Sequence, residues 1–366
     1  GPAMMRDAAP PVLIDEWQRL AWVWDEVRQW VDRDPSPGRF ILTGSAAPTG
    51  TPIHSGAGRI LSLRMRPLCL VERGLAEPRA SLTGLLGGSV QHVTGTTDIT
   101  VADYVHEIAA SGLPGIRGLS ALGRQRQLDG YLGAVVAKEV PEQGLMVRRP
   151  AAMTAWLRAY ALATGGTASY TTILDAATPG SGNKPSKSTT LTYRDALAGL
   201  WLTDPVPAWV PVLGRIEAPL AKAPKHFLAD PALAVRLLGL SEADLLPGPG
   251  PHPLGPQAGT LLGRLFEALI AQSLHTYAAV TSSELSHLRT ANGAHEVDFV
   301  VTQGADIVGI EVKLATAVTS DDVRHLNWLE SHYHGGRVTK VCLTTGSQAL
   351  TRSDGVHVIP AALLGP

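Results

Sequence analysis

The stretch HEVDFVVTQGADIVGIEVKLA, His295 to Ala315, decides how the last third of this chain is read. Two apolar-rich runs flank Gln303-Gly304-Ala305-Asp306, a turn that folds them into a hairpin. Side chains alternate across a strand, so Glu296 and Asp298 share one face of the first run, and Glu311 and Lys313 share one face of the second. Twelve residues separate Asp298 from Glu311-Val312-Lys313, the arrangement D…ExK. Two carboxylates brought together in this way can hold a hard cation, Mg²⁺ or Mn²⁺, which stabilises charge on a phosphodiester under attack. A lysine beside them can orient or deprotonate water and neutralise the phosphorane. Glu267, in the helical run GRLFEALIA, supplies a third carboxylate. The expected metal ligands are therefore Asp298, Glu311 and Glu267, and the expected catalytic groups are Glu311 and Lys313. Taken alone, Glu311 and Lys313 read equally well as an ion pair on an exposed strand face.

Around the hairpin the order of elements is regular. A helix, TLLGRLFEALIAQSLHTYA, precedes a strand, SELSHLRT; after the hairpin come the helix SDDVRHLNWLESHY, the strand TKVCLTTG and the apolar run GVHVIPAALL. That α-β-β-β-α-β order is the core of restriction-endonuclease-like folds. The Pro/Gly-rich PGPGPHPLGPQAG, Pro247 to Gly259, marks a domain boundary before it.

The other end of the chain shows a second constellation. PPVLIDEWQ, Pro10 to Gln18, reads as a buried strand ending on Asp15 and Glu16, and apolar residues from Leu20 to Val31 recur at helical spacing behind it. RFILTGS then reads as a parallel neighbouring strand joined by a right-handed crossover. Asp15 can hold Mg²⁺ and Glu16 can polarise a water, while Thr43 and Ser45 sit where a γ-phosphate would be sensed and Arg59 reads as a transition-state arginine supplied in cis or to a neighbouring subunit. A surface Asp-Glu pair ending a strand is the plainer alternative. A phosphate loop of the form G-x-x-x-x-G-K-[ST] is not found. Its nearest lookalike, Gly180 to Thr189, has no glycine directly before either lysine and is interrupted by Pro185.

GRILSLRMRPLCLVERG, Gly58 to Gly74, reads as a further strand and its exit, Leu75 to Thr97 as a loose stretch, and Val101 to Glu142 as a small helical lid. Three helical segments between Arg149 and Trp209, followed by WLTDPVPAWVP as a wing, outline a winged helix-turn-helix. Lys184, Lys187 and Arg194 would then meet DNA phosphates, although a solvated basic turn fits the same letters.

Bulk properties exclude several classes. Thirty-one basic against thirty-two acidic residues leave a net charge of −1, so any nucleic-acid partner must be met by a local patch. Cys69 and Cys342, both in apolar surroundings, read as core thiols of a reducing cytosol. No apolar run is long enough to span a membrane, and no secretory leader is found. A chain of 366 residues suggests several domains.

Together VLIDEWQ, RFILTGSA, GLPG, GRLFEAL, HLRTANGAHEVDFVV, GIEVKLA and LTTG make the chain resemble bacterial and archaeal AAA-type ATP-binding proteins whose C-terminal domain is similar to PD-(D/E)xK nucleases. The resemblance runs from about Pro10 to the end. It implies an α/β multidomain chain: a partial AAA core without its phosphate loop (1–75), a helical lid (76–145), a winged-helix-like domain (146–246) and a nuclease-like domain (247–366). It also implies Asp15 and Glu16 as the Walker B pair, Thr43 to Ser45 as the sensor strand, ATP with Mg²⁺ as cofactor, and Mg²⁺ or Mn²⁺ at the second site. The expected activity is ATP hydrolysis coupled to DNA in the cytoplasm, with further copies of the chain as partners; the alternative is a non-catalytic DNA-binding scaffold with an inactive nuclease fold.

Overall fold

The computed structural model describes residues 8–20, 22–45, 58–147, 149–178, 186–211, 216, 218–246 and 258–366. The Pro/Gly-rich segment expected as a linker lies almost wholly outside them.

At the N-terminal end, β1 (Val12–Ile14) and β2 (Phe40–Leu42) pair in parallel, Val12 opposite Phe40 and Ile14 opposite Leu42, with α1 (Trp22–Arg33) between them in sequence. Val23 and Val27 of α1 are buried, and Trp30 meets Phe40 edge to face at 6.0 Å. The strand-helix-strand order is as expected, but β1 is not buried. Leu13 and Ile41, opposite each other in register, are 63% and 49% exposed. Alternation sends every second side chain to the far face of the sheet, and among the described residues nothing covers that face.

The further strand expected from Gly58 does not form. Residues 60–66 form no strand. The alternation is there, since Leu61, Leu63 and Met65 point outward at 81%, 82% and 90% exposure while Arg64 and Arg66 turn inward to Asp204 at 2.7 and 2.8 Å. No strand pairs with the segment among the described residues; ion pairs hold it instead.

The stretch from Leu75 to Thr97, expected to be loose, is stitched into the C-terminal body. Within it, β3 (Ala80–Ser81) pairs with the last strand of the chain, α2 (Leu82–Gly87) is capped by the Ser81 hydroxyl, and β4 (Gly95–Thr96) joins the edge of the main sheet. Helices follow: α3 (Val101–Ala110), α4 (Pro114–Arg117), α5 (Ala121–Ala134), which passes through a π-turn into α6 (Val140–Glu142), then α7 (Pro150–Leu162), α8 (Tyr170–Ala177) and α9 (Lys187–Gly199). Antiparallel bridges, Thr203 with Leu228 and Val206 with Lys225, come next, then α10 (Pro231–Leu237) and α11 (Glu242–Leu245).

The helices and the longer strands of the C-terminal part form as the periodicity predicts, but the strand Gln348–Thr351 is added to them and the run GVHVIPAALL is split by a 3-10 turn at Ala361–Leu363. The elements are α12 (Ala258–Val280), β5 (Glu284–Arg289), β6 (Glu296–Gln303), β7 (Asp306–Lys313), α13 (Arg324–His332), β8 (Val338–Thr344), β9 (Gln348–Thr351), β10 (His357–Pro360) and β11 (Leu364–Gly365). Seven strands make one mixed, mostly antiparallel sheet in the order β4-β9-β10-β8-β7-β6-β5. Phe299, Val301, Val308, Ile310 and Val341 pack into a core shared with α12, while Val297, Val300, Ile307 and Cys342 pack with Leu326 and Leu329 of α13. The first of these cores runs without a break from Cys69 to Leu364, across the boundaries expected near 75, 145 and 246. Arg73, fully buried, illustrates the join: it donates to the Leu68 carbonyl, to Glu107 on α3 and to Gln272 on α12 at 2.8, 3.0 and 2.8 Å. Among the described residues no helix is long and apolar enough to cross a membrane.

Candidate functional site

The antiparallel register of β6 on β7, Phe299 opposite Ile310, carries Asp298 next to Glu311, and the Asp298 carboxylate accepts from the Val312 amide at 3.0 Å. Gly304 makes the hairpin turn with a φ of 63°, a left-handed conformation that favours glycine. From α12 on the neighbouring layer comes Glu267. Lys313, two residues beyond Glu311, bonds its carboxylate at 2.9 Å. The structure therefore brings Asp298, Glu311, Lys313 and Glu267 together, 46 positions apart in sequence at the extremes.

At the centre of this group lies a side chain the sequence did not single out. Lys225, whose side chain is 1% exposed, reaches in from the bridged segment that follows α9. Its ammonium lies 2.7 Å from Glu267 Oε1, 2.9 Å from Asp298 Oδ1 and 3.4 Å from Glu296 Oε1. Two backbone bonds to Val206, both 2.9 Å, fix where that side chain starts. No pattern around APKHFLADP marks such a role, because the partners are far along the chain and become neighbours only through the fold.

Burial and charge oppose each other throughout the cluster. Burial works against the Lys225 ammonium, yet Asp298, Glu267 and Glu296 outweigh it and hold its pKa above the ordinary lysine value. Burial likewise opposes the Asp298 carboxylate, but Lys225 prevails and its pKa is lowered. Glu267 goes the other way: burial, only partly offset by Lys225, pushes it up to about 8. Glu311 is raised well above the carboxylate range by burial and by Asp298 beside it, with Lys313 opposing. Its Oε1 is buried without a hydrogen-bond partner.

The D…ExK reading requires a divalent cation here, and the residues as arranged do not fit one. An ammonium already fills the space between Glu267 and Asp298, and its positive charge opposes a second cation. Among the described residues no group of three or more His, Cys, Asp or Glu side chains is placed to hold a metal ion. Two of the expected ligands, Asp298 and Glu267, together with Glu296, enclose the Lys225 ammonium instead, and the third, Glu311, bonds Lys313.

At the N-terminal end, Asp15 Oδ1 accepts from the Thr43 hydroxyl at 2.6 Å, so the two strand ends meet as expected. Glu16 sits in a left-handed conformation, φ 50°, with its carboxylate held by Gln18 at 2.9 Å and Arg19 at 3.4 Å. Ser45 is exposed. Arg59 is drawn elsewhere: its guanidinium bonds Asp32, at the far end of α1 and about 15 Å along the helix from the end nearer Asp15. Of the residues expected to meet DNA, Lys187 is exposed in the first turn of α9 and Lys184 lies outside the described residues. Arg194 lies 2.7 Å from Asp195 in an exposed pair, with its guanidinium 5.3 Å from the Tyr170 ring centre.

Residues 101–244 match one domain of unknown function, DUF8612, and residues 262–364 match another, DUF4143. The first unites the helices expected as lid and winged helix; the second begins in α12 and ends in β11. Lys225 belongs to the first and its carboxylate partners to the second. Uncharacterized proteins of Mycobacterium tuberculosis and Mycobacterium bovis are each 24% identical to the chain over 306 residues, covering 82% of it and 58% of their own length. The chain thus spans a little over half the length of these curated relatives. No solved structure matches it.

Proposed function

We propose that this chain is the DNA-directed part of a cytoplasmic AAA-type ATP-binding protein, and that its nuclease-like C-terminal domain holds DNA without cutting it. The observation that carries the second half is the Lys225 ammonium among Glu267, Asp298 and Glu296, where a cutting enzyme needs a divalent cation. The helices α7, α8 and α9, followed by the antiparallel bridges Thr203–Leu228 and Val206–Lys225, support a winged-helix-like reading, with Lys187 exposed at the start of α9. Gel-shift and cleavage assays on the same duplex, with Mg²⁺, Mn²⁺ or a chelator, test the reading. A shift that persists in chelator, with intact DNA in every lane, is expected. Metal-dependent cutting that disappears in Asp298→Ala and Lys313→Ala would sink it.

The nucleotide half is favoured by the hydrogen bond from Thr43 to Asp15, which joins the strand ends as an acidic-strand and sensor-strand pair would be joined. In a protein that also supplies a phosphate loop, Asp15 would hold Mg²⁺ and Glu16 would polarise water. ATP turnover there is expected to fall by at least about tenfold for Glu16→Gln, a loss within the range for removing a general base. Unchanged turnover refutes the role of Glu16.

A further inference from the structure

The cluster around Lys225 is not a degraded site. Asp298, Glu311, Lys313 and Glu267 are all present and converge; what departs from a cation site is one added ammonium. That ammonium comes from outside the elements that carry the carboxylates. Glu267 lies on α12, Glu296 and Asp298 on β6 and Glu311 on β7, whereas Lys225 is delivered by the segment bridged at Thr203–Leu228 and Val206–Lys225. The same segment leads into α10 through Asp230, whose carboxylate accepts from the Ser111 hydroxyl and the Gly112 amide beyond α3 at 2.6 and 2.8 Å. The plug is thus built into the helical part of the molecule.

An independent feature points to a missing ligand. The Glu311 side chain is 3% exposed, one of its oxygens serves Lys313, and the other, Oε1, is buried with no hydrogen-bond partner. A buried acceptor left bare is costly, and Glu311 stands next to Asp298 across the two strands. Carboxylate oxygens of two adjacent strands, close together and shielded from water, are the donor set of a hard divalent cation.

We infer that Lys225 is an intramolecular plug in a latent divalent-cation site: its ammonium and a metal ion compete for the same carboxylates, and the bridged segment that carries it governs which is bound. This rests on the nuclease-like reading of the domain but not on DNA binding. With the plug removed, Asp298, Glu311 and Glu267 become ligands facing a vacated position, and Lys313 remains at the rim.

The test is Mn²⁺ binding to the full chain, followed by the electron paramagnetic resonance of free Mn²⁺, with no DNA and no activity readout. Wild type is expected to show no saturable site at the cluster. Lys225→Ala is expected to bind one Mn²⁺ at least about tenfold more tightly than wild type, a difference of about 1.4 kcal/mol, and Asp298→Asn added to it should abolish the gain. Lys225→Met, which keeps most of the side-chain volume, serves as a second variant should the alanine protein not fold. Two results overturn the inference: a folded Lys225 variant that binds no more Mn²⁺ than wild type, or a wild-type site of comparable affinity that Asp298→Asn removes. The gel shift of unmodified protein in chelator reads DNA binding separately, so a protein that gains Mn²⁺ without shifting DNA refutes the DNA reading and leaves the plug standing.

Discussion

Replacing Lys225 by methionine removes an ammonium while keeping most of its apolar stem, so the change in stability reads the ion cluster itself. Removing one member of a buried ion pair costs about 3–5 kcal/mol, because the remaining charge is left uncompensated. Here the penalty should vary with pH, and its sign follows from the carboxylates. Glu267, already pushed up to about 8 by burial, has a folded pKa above its ordinary value; such an acid is least harmful below the ordinary value, and stability falls as pH rises towards the folded one. Asp298 is held below its ordinary value chiefly by Lys225 against burial, so losing the lysine releases it upward too. Urea unfolding should therefore show Lys225→Met weakened by about 3 kcal/mol or more near pH 8, with the deficit shrinking towards pH 5 as the carboxylates take up protons. Adding Asp298→Asn should restore part of the loss, since it removes the charge that was stranded. A deficit below about 1 kcal/mol near pH 8, or an Asp298→Asn cost that simply adds to it, would refute the view that this is a tightly coupled ionic cage.

Asp204 is the anchor of residues 60–66, receiving Arg64 and Arg66 at 2.7 and 2.8 Å; Asp204→Asn should cost about 2–4 kcal/mol and make that segment the first point of tryptic cleavage in limited proteolysis. Burial pushes the thiols of Cys69 and Cys342 up to about 11 and 12, so neither should react with a disulfide reagent at neutral pH until the protein unfolds, when both should react together. At Gly309 on β7 an added Cβ would come within 2.9 Å of Leu329 Cδ2 and 3.2 Å of Leu326 Cδ2, the ends of two buried core side chains that would have to give way; Gly309→Ala should therefore lower stability by about 1–2 kcal/mol without altering the fold, as judged by circular dichroism.

What could be read in advance follows from the range over which each signal acts. The hairpin from Glu296 to Lys313 announces itself through its own letters: alternation, a Gly-containing turn, and apolar runs long enough to show a period. Helix α12 does the same at helical spacing, so Glu267, Asp298, Glu311 and Lys313 could be gathered before any coordinate was known. Lys225 could not. It stands 73 residues before Asp298, and a single lysine in a short bridged segment has no period to betray it. Strands β3 and β4 are two residues each and exist only because β11 and β9 lie alongside, which the sequence of Leu75 to Thr97 cannot express. Residues 60–66 show the opposite: strand alternation is present, but among the described residues no strand lies alongside to pair with it. The bond of Arg59 to Asp32 is likewise a meeting of residues 27 apart that nothing in SGAGR announces.

The outward row of Leu61, Leu63 and Met65 has a practical consequence. Met65 offers its thioether to water almost completely, whereas Met153 is fully enclosed. Mild peroxide will therefore mark position 65 while sparing position 153, and the rate of that marking is a clock for the row's surroundings. Slower oxidation of Met65 with a DNA duplex or other candidate partner present than without it would record that another surface has come to rest against it, with no label or engineered probe required.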